Sequence, residues 1–175
     1  MSEEVEEIAW SGKWITAKRR GKWEYVSRAR GIRAAVIVAI DDEDHVLLVD
    51  QYRVPLGKRC LELPAGLIGD EAGHEGDSPF DAARRELIEE TGYDCAHVES
   101  LGDYYSSPGL VTESFTLVRA TGLTRVGEGG GLEDEDIIVH RVPRAGIGDF
   151  VAAKRAEGLG IDVKILLLLS ASLIG

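Results

Sequence analysis

Residues 78–92 read as a single helix with both ends marked. Ser78 suits an N-cap, Pro79 suits the first helical position, and Gly92 suits the C-terminal stop. Inside it runs Arg85-Glu86-Leu87-Ile88-Glu89-Glu90-Thr91-Gly92-Tyr93. On a helix, Glu86, Glu89 and Glu90 lie three and four positions apart and share a face. Three like charges there repel by roughly 0.2–0.5 kcal/mol per close pair. Acidic runs of this kind are usually solvated surface, but such a face also makes sense as a platform for cations. Hard carboxylate oxygens suit Mg²⁺ or Mn²⁺.

Composition narrows the partners. The chain has 175 residues, enough for one domain with a sizeable core, and is 44% hydrophobic. Twenty basic against 31 acidic residues give a net charge of −11. That argues against nucleic acid, whose binding rests on phosphate neutralisation by Lys and Arg. A small anionic substrate is still admitted where metals and a few arginines supply local positive charge. The acidic N-terminus is no signal peptide, and the apolar run at 165–169 is too short to span a bilayer. The latter reads as a buried helix or an interface. Cys60 and Cys95 suggest neither a disulfide framework nor a zinc site but free, buried thiols, so a cytoplasmic location is expected.

The three tryptophans, Trp10, Trp14 and Trp23, all fall within residues 1–30, which read as a strand segment rather than a linker. Residues 23–28 alternate as a half-buried strand. Residues 34–40 and 46–49 read as strands joined by an acidic turn at 41–44, which lacks the ligand spacing and glycine of an EF-hand. Further strands are expected at 101–105, 114–119 and 137–142, and a second helix at 150–157. Strands on both sides of the first helix indicate an α+β class or a mixed-sheet sandwich.

The string Arg-Glu-Leu-x-Glu-Glu-x-Gly-Tyr resembles the core of the Nudix box, the signature of the Nudix hydrolases. The resemblance implies a mixed β-sheet sandwiched between α-helices. It also implies hydrolysis of a nucleoside diphosphate linked to another moiety, with divalent cations on the helix. The upstream half of the box departs from the family pattern of glycine, five residues, glutamate, seven residues, arginine. Asp77 stands at the glutamate position. The natural glycine is Gly66, in Leu63-Pro64-Ala65-Gly66-Leu67-Ile68, with ten residues between it and Asp77 rather than five. The intervening Gly-rich polar stretch reads as an inserted surface loop.

By resemblance, Glu86, Glu89 and Glu90 are metal ligands, the Ala65 carbonyl adds a ligand, and Arg85 orients the first helix glutamate. The plain alternative for Arg85 is a helix salt bridge with Asp81. Pro108, sixteen residues beyond Gly92, resembles a marker of the ADP-ribose pyrophosphatases. Gln51-Tyr52-Arg53 looks like that subfamily's Q-[FY]-R, whose arginine contacts the substrate diphosphate. The acidic stretch 133–136 looks like its E-x-E-D loop, with Glu133 favoured over Glu135 as the water-activating base. The glycines at 127–131 are expected to let it swing as a lid. Arg30 aligns with a family arginine near the substrate, and Trp23 or Tyr25 is positioned to stack the adenine. Residues 1–30 are expected to serve dimerisation and residues 31–175 to form the hydrolase domain, giving a homodimer. The four histidines show no ligand spacing.

The leading expectation is Mg²⁺- or Mn²⁺-dependent hydrolysis of ADP-ribose to AMP and ribose 5-phosphate. The alternatives are another nucleoside diphosphate sugar, or a catalytically idle binding module, the latter suggested by Asp77 and the insertion.

Overall fold

The computed structural model describes residues 4–29, 33–68, 78–132 and 135–169. Three strands, Glu6–Ser11 (β1), Ile15–Arg20 (β2) and Trp23–Arg28 (β3), form an antiparallel sheet. Next come Arg33–Ala39 (β4), His45–Arg53 (β5), Lys58–Glu62 (β6) and Ala65–Ile68 (β7). Helix α1 is Pro79–Thr91. Tyr93–Tyr105 (β8), Ser114–Arg125 (β9) and Ile138–Pro143 (β10) precede helix α2, Ile147–Ala156. A two-residue strand, Gly160–Ile161 (β11), and a 3₁₀ helix, Val163–Leu169, complete the described chain.

Two four-stranded sheets, ordered β10-β5-β6-β11 and β7-β4-β9-β8, make the body. Each is mixed: β4 pairs with β9 in parallel and β11 pairs with β6 in parallel. The strand β4 explains why residues 34–40 are apolar without alternation. Val36 and Val38 point into the core between the sheets, while Ala35, Ile37 and Ala39 meet Ala83 and Leu87 of α1. A strand covered on both faces reads as a continuous apolar run. Helix α2 and the C-terminal 3₁₀ helix close the inter-sheet core through Ile147, Ile165 and Leu168. The apolar run 165–169 is therefore half core: Leu166 and Leu169 are exposed. Both cysteines are free and buried.

Several boundaries differ from expectation. Strands β8 and β9 are 13 and 12 residues long, far beyond 101–105 and 114–119. Their outer halves pair Tyr93 through Ser100 with Val118 through Arg125, and are rich in Asp, His, Glu, Arg and Thr. Backbone pairing there outruns any apolar pattern. Helix α2 begins three residues earlier than expected because Ile147 is its buried anchor.

The N-terminal sheet stands apart from this core. It joins the body at Val26, whose amide donates to Leu110 and whose carbonyl accepts from Thr112 (2.9 and 3.0 Å). Trp10, Trp14 and Trp23 are all exposed. Among the described residues no helix is long and apolar enough to cross a membrane.

Candidate active site

The first helix forms as its sequence dictates. The Ser78 hydroxyl accepts from the Asp81 amide at 3.2 Å, and the Asp81 carboxylate accepts from the Ser78 amide at 3.3 Å, a reciprocal capping box. Asp81 is thereby occupied at the helix start. Gly92 takes a left-handed φ of 75° and ends the helix. Leu87 and Ala83 bury one side, which turns Glu86, Glu89 and Glu90 toward a cavity of about 410 Å³.

That cavity opens where β7 runs against α1. The Ala65 amide donates to the Glu90 carboxylate at 3.0 Å, so here it is this residue's amide that engages the helix. Gly66 passes so close to Glu86 that a Cβ would run into its carboxylate. The missing side chain leaves room for that carboxylate, which any larger residue would have to displace. Glu90 is 5% exposed, and its carboxyl is pushed up to about 8. Burial is the main cause. Glu86 and Glu135 push the same way, against the Ala65 amide and Arg53.

Arg85 approaches Glu86 at 3.0 Å and Glu89 at 3.5 Å. Arg53 lines the cavity and forks onto the buried Glu62 at 2.6 and 2.8 Å. Glu135 lines the same cavity, its carboxylate held by the Leu132 amide at 3.0 Å. Glu133, Arg30 and Asp77 lie outside the described residues.

The glycines expected to act as a hinge do something else. Val126 and Gly127 donate to the Gly92 carbonyl, Gly130 to Glu90 and Gly131 to Glu89, at 2.8 to 3.0 Å. They cap the last carbonyls of α1, which otherwise lack partners. Gly129, with φ +70°, lies against the backbone of residues 90–92 where a Cβ would collide. The stretch is a strap on the helix, and lack of side chains serves close approach.

Three cavity residues carried no sequence signal of their own. Arg28 ends β3 and forks onto Glu113 at 2.8 and 2.9 Å; Lys164 pairs with Asp162 at 2.6 Å; Glu62 anchors Arg53. Trp23 and Pro108 do not reach this cavity. Together with Tyr25 they line a second concavity of about 450 Å³ at the edge of the N-terminal sheet.

The donor set fits a hard divalent cation in chemistry. Glu86, Glu89 and Glu90 offer carboxylate oxygens around one cavity, and among the described residues no cation hydrogen-bonds the buried Glu90. Among the described residues no three His, Cys, Asp or Glu side chains converge into a ready-made coordination cluster. Arg85 pairs with both Glu86 and Glu89, which line the cavity.

Comparison with known proteins agrees with this architecture. The NUDIX domain family model matches residues 31–143. A GDP-mannose pyrophosphatase of Cronobacter sakazakii is 36% identical over 159 residues, covering 86% of this chain and 76% of that protein. An ADP-ribose pyrophosphatase of Mycobacterium tuberculosis is 44% identical over 94 residues, 54% of this chain and 44% of that one. For several other relatives the chain spans little more than half of their length. A crystal structure of an ADP compounds hydrolase shares the fold with a TM-score of 0.70 at 24% identity, covering 94% of this chain and 89% of that one. The chain belongs to the NUDIX domain family.

Proposed function

We propose that this chain is a Mg²⁺- or Mn²⁺-dependent hydrolase that cleaves the diphosphate of ADP-ribose to AMP and ribose 5-phosphate. One observation carries the reading. The cavity lines six carboxylates, Glu62, Glu86, Glu89, Glu90, Glu113 and Glu135, against the cations Arg28, Arg53 and Lys164. A diphosphate would be repelled by that lining unless divalent cations entered with it.

In this reading Glu86, Glu89 and Glu90 hold the metal, with Ala65 beside them and Arg85 orienting Glu86. A divalent cation held by these residues would lower the pKa of water and offset charge on the phosphate oxygens. Arg53, fixed by Glu62, presents the rest of its guanidinium to the phosphates. Glu133 or Glu135 takes the proton as a water oxygen bonds to one phosphorus and the bridging P–O bond breaks. Trp23, Tyr25 and Pro108 offer an aromatic edge for the base. Arg30 is the further substrate cation suggested by resemblance. The exposed tryptophans of the N-terminal sheet favour a homodimer, with residues 1–30 as its contact and residues 31–175 as the hydrolase domain, in the cytoplasm.

A second reading, GDP-mannose as substrate, is favoured by the 36% identity to a GDP-mannose pyrophosphatase across most of the chain. A substrate panel decides. Incubate ADP-ribose and GDP-mannose separately with Mg²⁺, with Mn²⁺ and with EDTA, and separate the products by anion exchange. AMP and ribose 5-phosphate, lost in EDTA, are expected. Cleavage of GDP-mannose alone selects the second reading. No cleavage of any nucleoside diphosphate sugar points to a binding module. Light scattering of the full chain tests the dimer.

A further inference from the structure

The loop between β9 and β10 is fastened at both sides of its described residues. On one side are the glycine amides bound to the end of α1. On the other stands Arg59 of β6. Its Nη1 donates to the Asp136 carboxylate at 2.6 Å, and its Nη2 to the Asp136 carbonyl at 2.9 Å. The same Nη2 reaches the Asp50 carbonyl at 2.7 Å, and Nε donates to the Asp50 carboxylate. Asp50 is 3% exposed, and its other carboxylate oxygen meets His140 Nε2 at 2.5 Å. A buried carboxylate is costly without such partners.

The guanidinium is planar, so seating its Nε edge on Asp50 dictates where its outer N–H groups point. They point at residue 136, the neighbour of Glu135. None of Asp50, Arg59 and Asp136 lines the cavity, so substrate contact does not account for the arrangement. Strand β5 carries both Asp50 and Arg53, which ties the clamp to the strand that presents a cation to the cavity.

We propose that Arg59 is a positioning residue for Glu135: seated on buried Asp50, it holds Asp136 and so sets where the Glu135 carboxylate stands. This rests on the reading of Glu135 as part of the reaction centre.

The test is a double-mutant cycle on the full chain, using whichever nucleoside diphosphate sugar the panel identifies, at saturating Mg²⁺. Arg59→Lys keeps a charge for Asp50 but loses the fork. It should lower kcat by about tenfold, as small misplacements of reacting groups do, with KM within about twofold. In a Glu135→Gln background the same change should cost less than about twofold, because no carboxylate remains to be positioned. Equal losses in both backgrounds, or none in either, make Arg59 merely structural and overturn the proposal. Full turnover in Glu135→Gln alone overturns the reading of the loop, and the proposal with it. If Arg59→Lys fails to fold, Asp136→Ala, at a side chain 84% exposed, replaces it in the cycle. A loss of about threefold that vanishes with Glu135→Gln supports the clamp. A loss that persists, or no loss at all, overturns it.

Discussion

Glu90 in α1 and Glu6 in β1 are the same residue in opposite circumstances. Glu90 is 5% exposed and its carboxyl is pushed up to about 8, chiefly by burial. Glu6 is in the open and is held down to about 2 by Tyr25 and then Lys18. Around Glu90 the body encloses two hydrophobic clusters. Around Glu6 the N-terminal sheet adds no residue to either, and is laced instead by pairs such as Lys18–Glu6 and Arg19–Glu7. One region gathers buried carboxylates and cations around a single cavity. The other spreads weak, solvated pairs over a surface.

The contrast can be broken most forcefully at the loop. If the cavity is the reaction centre, Glu133→Gln or Glu135→Gln should lower kcat by ~10²–10⁴-fold while Mg²⁺ binding persists, with partial recovery at higher pH. A kcat–pH profile of each variant checks this, and full turnover in both removes the loop from the chemistry. Glu90→Gln should fold normally and lose at least ~10²-fold in kcat, since metal stabilisation supplies several kcal/mol to such reactions. Near wild-type kcat at saturating Mg²⁺ would make α1 a plain acidic face. For Arg53, Ala is a poor probe because it strands the buried Glu62 without its cation. Arg53→Lys keeps that charge and loses the fork, and should cost ~1.5–3 kcal/mol in kcat/KM.

Acid and base sharpen the comparison further. A raised carboxyl stabilises the fold below its unfolded value, and that contribution is lost as pH climbs through the folded one. Metal-free protein should therefore lose stability from about 4.5 to about 8 through Glu90, at no more than ~1.4 kcal/mol per pH unit. Glu6 acts with the opposite sign: its contribution is present above about 4.5 and is lost as pH falls toward 2. Urea titrations in EDTA across pH should show the first slope in the native chain and not in Glu90→Gln. The smallest effect belongs to the surface. Arg19→Gln breaks the pair with Glu7, more than half exposed on both sides, and should leave the urea midpoint nearly unchanged.

Helix α1 was legible because its signals are local: a cap, a proline, a glycine and a spacing. The strands β4 and β5 were legible because burial on both faces leaves an apolar run. The rest depends on register between distant segments. Nothing near Glu62 in the chain says that Arg53 will fork onto it. Lys164 faces the cavity only because the 3₁₀ helix follows β11. The glycines at 127–131 were visible but ambiguous, because a missing side chain serves a hinge and a tight seam equally well. Trp23 and Pro108, far apart in the chain, line one concavity separate from the carboxylates, which no local pattern announces.

The seam between those glycines and the end of α1 is made of main-chain amides and carbonyls. It carries no ionisable group, so neither added electrolyte nor a change of buffer acts on it directly. Salt that screens the exposed ion pairs of the N-terminal sheet leaves it nearly untouched. Glu89 and Glu90, whose own carbonyls form part of that seam, are thus moored by bonds indifferent to the medium, however much their carboxylates respond to it.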